Sequence, residues 1–316
     1  MSLKKDLSEQ DICNRYITPA LEASGWNKMT QIRQEVTFTA GRIISRGKTV
    51  LRKQTKRADY VLYHKSNIPL AVIEAKDNNH SMGDGMQQAL DYAKILDVPV
   101  AISSNGDGFL IHDKTRQDGH LEIETGLEGC PGPQELWETY KSYKGISNKE
   151  QEDIVQEDYH YDPAFKKEPR YYQRIAINRA TEAIARGQDR ILLVMATGTG
   201  KTYTAFQICY RLWKSGRKQR ILFLTDRNAL IDQTKRNDFR PFGNKMTIIK
   251  NRYVDKAYEI YLSLYQQLVN YDENEPDPYT KFSRDFFDLI VIDECHRGSA
   301  KEDNQWRRIQ IGRAHV

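Results

Sequence analysis

A short loop in the second half of the chain has the composition of a phosphate-binding site. Residues 196–202 read Ala-Thr-Gly-Thr-Gly-Lys-Thr. Gly198 and Gly200 would let backbone N–H groups close on a phosphate chain, and Lys201 would bring a mobile positive charge to the β and γ oxygens. The hydroxyl of Thr202 could hold Mg²⁺. The loop therefore predicts an ATP site.

The setting of this loop supports the same interpretation. The apolar run Arg190–Met195 comes before it and a helical pattern, Tyr203–Trp213, comes after it. A phosphate cradle requires this order of strand, loop and helix. The strict motif has glycine six residues before the lysine, and this chain has Met195 there, so the match is to a relaxed form. Thr199 completes the predicted ATP-binding set.

A second motif lies about ninety residues further on. An apolar run from Asp288 to Ile292 predicts a buried strand, and Asp293-Glu294-Cys295-His296 follows it. Ligands bind at the carboxyl ends of parallel strands. We expect Asp293 to hold Mg²⁺ through water and Glu294 to polarise the attacking water.

Three residues in the first half of the chain could form a metal-dependent nuclease site. Asp59 lies in the first strand of a predicted hairpin, and Glu74 and Lys76 lie at the end of the second strand. Residues two apart on a strand share a face, so Glu74 could bind Mg²⁺ while Lys76 orients water or stabilises a charged phosphate. Asp59 would be the other metal ligand. The three residues alone would also suit a solvated, salt-bridged strand end.

The phosphate loop and the Asp293–His296 motif together resemble the first motor lobe of superfamily 2 helicases and translocases. In that family a glutamine ahead of the loop reads adenine, and the resemblance assigns this role to Gln173. It also implies that Thr225–Arg227 and Ser263–Gln266 touch the DNA backbone. An ordinary helix-surface glutamine is the alternative for Gln173.

The nuclease residues carry a second resemblance. Asp59 with Glu74-Ala75-Lys76 resembles the Asp…Glu-x-Lys core of the restriction-endonuclease fold. Gln88 and Tyr92 resemble the glutamine-tyrosine motif of its RecB-like branch, which implies that they support the nuclease. Glu9, on an expected opening helix, is a candidate further ligand. Nuclease and motor in this order resemble the restriction (R) subunit of a type I restriction-modification system.

Several expectations follow from the R-subunit resemblance. It implies Mg²⁺-dependent cleavage of double-stranded DNA coupled to ATP-driven translocation, with ATP and Mg²⁺ as cofactors. The implied partners are double-stranded DNA and the modification (methyltransferase) and specificity subunits, with S-adenosylmethionine bound only by the methyltransferase. It also implies a fragment without the second motor lobe, unable to translocate. Two alternatives stay open: a module that only binds ATP and DNA, and a repair helicase fragment with an inactive nuclease-like domain.

The elements that must position these residues predict an α/β fold with two domains. We expect a restriction-endonuclease-like α/β domain at 1–145, a linker at 146–168 and a RecA-like, parallel-sheet motor lobe at 169–310. Residues 311–316 look like a non-native tail. In the first domain, periodicity predicts an opening helix, a hairpin, a helix and two more strands: Ser8–Ala23, Ala58–Tyr63 with Pro69–Glu74, Met82–Leu96, and Val98–Ser103 with Gly108–Asp113.

Composition narrows the class of protein. The 316 residues carry a formal net charge of +5, which suits a polyanionic partner. No apolar run is long enough to span a membrane and no secretion signal is visible, so we expect a cytoplasmic protein. The four cysteines are far apart, which predicts free thiols. Seven basic residues ahead of Asp59 could bind DNA phosphates or form a solvated loop: Arg42, Arg46, Lys48, Arg52, Lys53, Lys56 and Arg57.

Overall fold

The computed structural model describes residues 4–39, 43–46, 49–52, 55–164, 166–225, 231, 234–235, 237–269 and 276–293. The chain divides into two compact units, Met1–Asn148 and Lys149–Val316. The boundary falls inside the segment predicted as a linker. Among the described residues, no helix is both long enough and apolar enough to cross a bilayer.

Unit 1 is built on a mixed six-stranded sheet in the order β1-β4-β5-β6-β7-β8. Strands β5 and β6 are parallel and the other neighbours are antiparallel. A separate antiparallel pair, β2 and β3, interrupts the chain between β1 and β4. The strands are β1 Ile32–Thr39, β2 Ile43–Arg46, β3 Thr49–Arg52, β4 Thr55–Tyr63, β5 Pro69–Ala75, β6 Val100–Ser104, β7 Gly108–Asp113 and β8 Glu122–Gly126.

Helices cover the central strands of unit 1. Strand β5 is contacted by both α3 and α4, and α3 also contacts β6. Every residue of β6 and all but the first of β5 are buried, which is typical of strands covered on both faces. The helical segments are Lys4–Asp6 (3₁₀), α1 Glu9–Ile12, a π turn Cys13–Ile17, α2 Thr18–Ala23, α3 Met86–Leu96, Leu127–Gly129 (3₁₀) and α4 Pro133–Lys144.

The opening helix begins as the sequence predicts. The Ser8 hydroxyl accepts a hydrogen bond from the Asp11 N–H, and the Asp11 carboxylate accepts one from the Ser8 N–H. This reciprocal capping box satisfies two backbone donors that would otherwise lack partners at the helix start. The predicted hairpin, helix and two strands are present as well, whereas β1, β8 and α4 were not predicted.

Unit 2 contains a four-stranded, wholly parallel sheet in the order β10-β11-β9-β12. The order follows from crossover connections, which parallel strands require. The fold class predicted for both halves is thereby confirmed. The elements are α5 Lys149–Gln156, α6 Tyr171–Ala185, α7 Lys201–Lys214, β9 Ile221–Thr225, Arg240–Lys245 (3₁₀), β10 Met246–Ile248, β11 Ile260–Leu264, α8 Tyr265–Leu268, Pro278–Lys281 (3₁₀) and β12 Leu289–Ile292.

The prediction of a strand ahead of the phosphate loop was wrong. Residues 191–196 adopt no strand, and Leu192 and Val194 are 74% and 88% exposed. Ile191 and Leu193, in contrast, pack against the unit 2 core. The alternation of a strand is therefore present, but among the described residues no neighbouring strand pairs with this segment to form a ladder. An apolar run becomes a strand only when a second strand accepts its backbone hydrogen bonds.

A buried arginine fixes much of the segment expected to be a linker. Arg211, on α7, is fully buried, and its guanidinium donates to Glu157 O at 2.7 Å, Val155 O at 2.6 Å and Asn178 Oδ1 at 2.8 Å. Gln207, one helical turn earlier, exchanges hydrogen bonds with the backbone of His160. Residues 155–160 are thus held directly against the helix that begins at the phosphate loop.

Replacing Arg211 with lysine tests this anchor. Arg211→Lys keeps the charge but loses the planar fork, which leaves buried carbonyl acceptors unsatisfied. We expect the free energy of unfolding of unit 2, measured by urea denaturation, to fall by about 2–4 kcal/mol. Arg217→Lys is the matched control, because Arg217 forms partly exposed ion pairs with Glu150 and Asp153 and should lose less than about 0.5 kcal/mol. Equal losses in the two variants would contradict the anchor.

Candidate functional site

The hairpin of β4 and β5 brings the candidate nuclease carboxylates together. Tyr60 pairs with Ile73, so the antiparallel register sets Asp59 opposite Glu74. The Ala75 N–H donates to Asp59 Oδ2 at 2.7 Å, which fixes the carboxylate at the end of β5. Lys76 follows directly, and its own N–H donates to Ser104 O on β6 at 2.8 Å.

The electrostatics of the two carboxylates are unusual. Glu74 is 1% exposed, and its Oε1 is buried with no hydrogen-bond partner among the described residues. Burial, reinforced by the neighbouring Asp59 charge, raises the pKa of Glu74 to about 9. Burial also raises the pKa of Asp59, although the Ala75 N–H opposes that shift. The pair therefore disfavours two negative charges unless a cation is close.

An ion pair between Lys76 and Glu9 borders these carboxylates. Lys76 Nζ lies 3.2 Å from Glu9 Oε1, which comes from the start of α1. Burial lowers the pKa of Lys76, but the carboxylates of Glu9, Glu74 and Asp59 outweigh burial and the net direction is upward. The lysine therefore stays an ammonium ion beside the two carboxylates. The structure places Glu9 against Lys76, as its counter-ion.

The Asp59 and Glu74 carboxylates suit Mg²⁺ better than a metal ion whose ligands all come from the protein. Within the described ranges, no three His, Cys, Asp or Glu side chains are grouped closely enough to hold a metal ion. Mg²⁺ commonly binds through one or two carboxylates, with substrate phosphate and water completing its shell. Asp59 and Glu74 fit that pattern, because Glu74 offers a buried oxygen for which the described residues provide no hydrogen-bond partner.

Sequence reasoning missed the residues that cover this site. Gly85 precedes α3, and its N–H donates to the buried Ser103 hydroxyl at 3.1 Å. A Cβ added at Gly85 would lie 2.7 Å from Ser103 Oγ and 3.1 Å from Glu74 Cβ. Only glycine lets the helix start approach Glu74 so closely. The sequence Gly83-Asp84-Gly85 is typical of a turn, but these residues were placed in the predicted helix Met82–Leu96, and the contact with Ser103 is not local.

Gln88 and Tyr92 lie one turn apart on α3. Gln88 Nε2 donates to Tyr92 OH at 3.0 Å, and the Tyr92 ring packs against Phe38 in the core. In the part of the chain that the structure describes, neither side chain hydrogen-bonds to the site carboxylates. The predicted supporting residues therefore contact each other, on the helix whose start abuts Glu74.

The phosphate loop of unit 2 has the backbone that its glycines predict. Gly198 and Gly200 have φ angles of 78° and 81°, in the left-handed region that favours glycine. Lys201 is the first residue of α7, so the loop leads directly into a helix N-terminus. A helix start with free N–H groups attracts phosphate. Thr199 closes the loop through a hydrogen bond from Oγ1 to Ala196 O at 2.6 Å.

The two halves of the candidate ATP site meet in space. Thr202 Oγ1 donates to Asp293 Oδ2 at 3.4 Å, although 91 residues separate them. Tyr265 OH donates to Asp293 O at 3.2 Å, so the start of α8 also contacts the end of β12. A hydroxyl beside a carboxylate at the end of a parallel strand is a suitable Mg²⁺ site. Glu294 lies outside the described residues.

Gln173 contacts the phosphate loop directly. It is 5% exposed, and its Nε2 donates to Thr199 O at 2.8 Å. Tyr172 OH donates to the same carbonyl oxygen at 3.2 Å. The side chain assigned to adenine reading is therefore held by the loop that would bind the phosphates.

The expected DNA-contacting residues are only partly described. The structure does not describe Asp226, Arg227 or five of the seven basic side chains ahead of Asp59. Cys295 and residues 311–316, which carry other predictions, also lie outside the described residues. Lys56 and Arg57 form ion pairs with Asp91 and Glu35. Ser263 is buried at the end of β11. The other three cysteines are buried free thiols.

Fold and site geometry define a class of protein: a restriction-endonuclease-like α/β domain, followed in the chain by an α/β unit with a parallel sheet and a phosphate loop. Two family models match the chain, the type I restriction enzyme R protein N terminus over residues 6–120 and the res subunit of type III restriction enzymes over residues 166–314. The chain belongs to the R-subunit family of type I restriction enzymes and matches its N-terminal region. The resemblance drawn from the motifs is thus confirmed.

Three relatives illustrate the match. The EcoAI endonuclease subunit of Escherichia coli is 54% identical over 96% of this chain, and the EcoKI endonuclease subunit of strain K12 is 29% identical over 78%. A solved fragment described as the HsdR subunit of a type I restriction enzyme from Vibrio vulnificus YJ016 is 41% identical, with a TM-score of 0.74 over 94% of this chain and 53% of its own. The chain spans 37% and 25% of the two curated relatives.

Replacing Glu74 with glutamine should change how stability depends on pH. The pKa of Glu74 is about 9 in the folded protein and 4.5 ordinarily. Between these two pH values the folded protein therefore retains a proton that the unfolded chain releases. Metal-free stability contributed by this group is therefore lost as pH rises from about 5 to 9. The glutamine of Glu74→Gln cannot ionise, so we expect the melting temperature of this variant to fall less than that of the wild type between about pH 5 and 9. At about 2–4 °C for each kcal/mol of stability, the two falls should differ by several degrees.

Thermal unfolding in chelator at a series of pH values measures this difference. Glu22→Gln is the matched control, because Glu22 is an exposed glutamate on α2 of the same unit. Its melting curve should follow that of the wild type at every pH. Identical pH profiles for wild type and Glu74→Gln would show that Glu74 is not the buried, proton-binding carboxylate.

Proposed function

We propose that this chain carries the nuclease and the first motor lobe of a type I R subunit, which cleaves double-stranded DNA with Mg²⁺ and uses ATP to move DNA. The buried Glu74 carboxylate lies beside Asp59 and Lys76, and one of its oxygens has no hydrogen-bond partner in the described part of the chain; this supports the nuclease half most strongly. Relatives named as type I endonuclease subunits support the same activity.

The proposed cleavage assigns a separate task to each residue of the nuclease site. Asp59 and Glu74 hold Mg²⁺ between two strands, and the bound ion would polarise the scissile phosphate and lower the pKa of its water. Lys76 presents an ammonium that orients the attacking water or stabilises the charge that develops on the phosphate. Glu9 fixes the direction of that ammonium, and the Gln88–Tyr92 pair supports α3.

The proposed ATP site uses the loop and the ends of two elements. Backbone N–H groups around Gly198–Gly200 cradle the phosphates, and Lys201 neutralises charge on the β and γ oxygens. Thr202 and Asp293, already in contact, hold Mg²⁺. Gln173 recognises adenine from a position fixed by Thr199 O, and Glu294 polarises the attacking water.

The proposed assembly has three partners. Double-stranded DNA is the substrate, and the modification and specificity subunits complete the enzyme, with S-adenosylmethionine bound by the methyltransferase alone. The nuclease belongs to unit 1 and the motor lobe to unit 2, with the proposed borders at 1–145 and 169–310.

Plasmid cleavage with ATP and Mg²⁺ tests this function. Glu74→Ala and Lys76→Ala are introduced into this chain and at the equivalent positions of a full-length R subunit assembled with its partners. We expect cleavage by the full-length assembly to fall by at least about a hundredfold in both variants, because each removes a group that acts on the reacting phosphate. DNA-stimulated ATP hydrolysis should be retained, since the motor site is untouched.

Two exposed residues of unit 1 provide matched controls. Glu22→Ala and Lys28→Ala remove the same kinds of charge from exposed positions outside the predicted nuclease site, and both should cleave at the wild-type rate. Wild-type cleavage by Glu74→Ala and Lys76→Ala would overturn the nuclease assignment and leave an ATP-dependent motor with an inert front domain.

A further inference from the structure

The residues after β10 form a tight turn with an unexpected backbone. The Tyr253 N–H donates to Lys250 O at 3.0 Å, which closes the four-residue turn Lys250–Tyr253. Its two central residues, Asn251 and Arg252, have φ angles of 53° and 56°. Two positive φ angles in succession mark a type I′ turn, which glycine and asparagine favour. Asn251 fits this preference, whereas Arg252 is strained.

Contacts from two other segments hold the strained residue in place. The Arg252 N–H donates to Gln267 Oε1 at 3.2 Å, and Lys281 Nζ donates to Arg252 O at 3.2 Å. Ile249, just before the turn, is buried in the core. Strained residues that persist because their surroundings fix them are concentrated at ligand-binding sites. A glycine would satisfy the backbone here, so the arginine side chain needs a separate explanation.

The surface of the turn combines cations with an aromatic ring. All four residues of the turn are exposed, and Tyr253 is 70% exposed. Beside the turn is an open cavity of about 690 Å³ whose lining includes Lys235, Arg240 and Lys250. Arg240 also forms an ion pair with Asp162, at 2.9 Å. Lys250 therefore belongs to both the turn and the cationic cavity.

The turn lies at the functional edge of the sheet. Strand β10 is parallel to β11, which is parallel to β9, which is parallel to β12. The turn follows the carboxyl end of β10, just as α8 follows β11 and Asp293 follows β12. Ligands of open parallel sheets bind at this edge. Gln267 of α8 already joins the turn to the neighbouring strand end.

We propose that the Lys250–Tyr253 turn is a DNA-backbone contact of the motor lobe. Lys250 and Arg252 bind phosphates of one strand, and Tyr253 packs against the adjoining sugar and base. A DNA strand presents phosphates alternating with the flat apolar faces of its bases. A protein surface that interleaves cations with aromatic rings is complementary to this pattern. The inference rests on the proposed function and adds a contact outside Thr225–Arg227 and Ser263–Gln266.

Arg252→Gly separates binding from folding. Glycine adopts positive φ without strain, so the variant should melt at or above the wild-type temperature. Losing one phosphate contact should weaken binding to a short fluorescein-labelled duplex by about 3- to 10-fold at low salt. It should also reduce the slope of log affinity against log salt by about 0.9. Tyr253→Ala should weaken binding with little change in that slope, because it removes no charge.

Lys166→Gly is the matched control. Lys166 is an exposed cation of the same unit with a φ of 47°, so the substitution removes the same charge and relieves the same kind of strain. Fluorescence anisotropy of the 316-residue chain should give wild-type affinity and slope for this variant. Wild-type affinity and slope in both Arg252→Gly and Tyr253→Ala, or no duplex binding by the wild type, would overturn the inference. Plasmid cleavage by the full-length assembly is a separate measurement, so the proposed function can hold even if the turn does not bind DNA.

Discussion

A buried carboxyl oxygen with no hydrogen-bond partner among the described residues favours either a bound proton or a nearby cation, and Glu74 imposes this choice on unit 1. The register of β4 and β5 places Asp59 beside it, which makes a second negative charge more costly. Lys76 relieves part of that cost but is itself shared with Glu9. The arrangement is poorly suited to stability alone and well suited to a divalent cation, as the proposed nuclease site requires.

Both units place their chemistry where strands end. In unit 1, Lys76 follows β5 and Gly85 brings the start of α3 against Glu74. In unit 2, the parallel sheet gathers Asp293 and the Tyr265 hydroxyl at one edge, where Thr202 reaches them from α7. Strand ends leave side chains free of the ladder while the sheet fixes their positions. The candidate ATP site thus depends on the order of strands, which brings together residues far apart in the chain.

Local patterns predicted the elements whose signals are local. The runs Ala58–Tyr63 and Pro69–Glu74 were sufficient for the hairpin, and the phosphate-loop glycines were sufficient for the start of α7. Strand β1 was missed because Ile32–Thr39 is largely polar, and β10 because three residues carry little periodicity. The strand expected at 190–195 failed because pairing requires a neighbour that composition does not reveal. The Gly85–Ser103 contact was likewise invisible, since it joins separate elements.

Calorimetric titration of Mg²⁺ in buffers of different ionisation enthalpy tests the central claim most directly. With a pKa of about 9, Glu74 is mostly protonated at neutral pH, so a metal ion that binds there must displace the proton. The account predicts release of about one proton per ion bound at neutral pH, absent in Glu74→Gln. Binding without proton release, or unchanged release in Glu74→Gln, would contradict it.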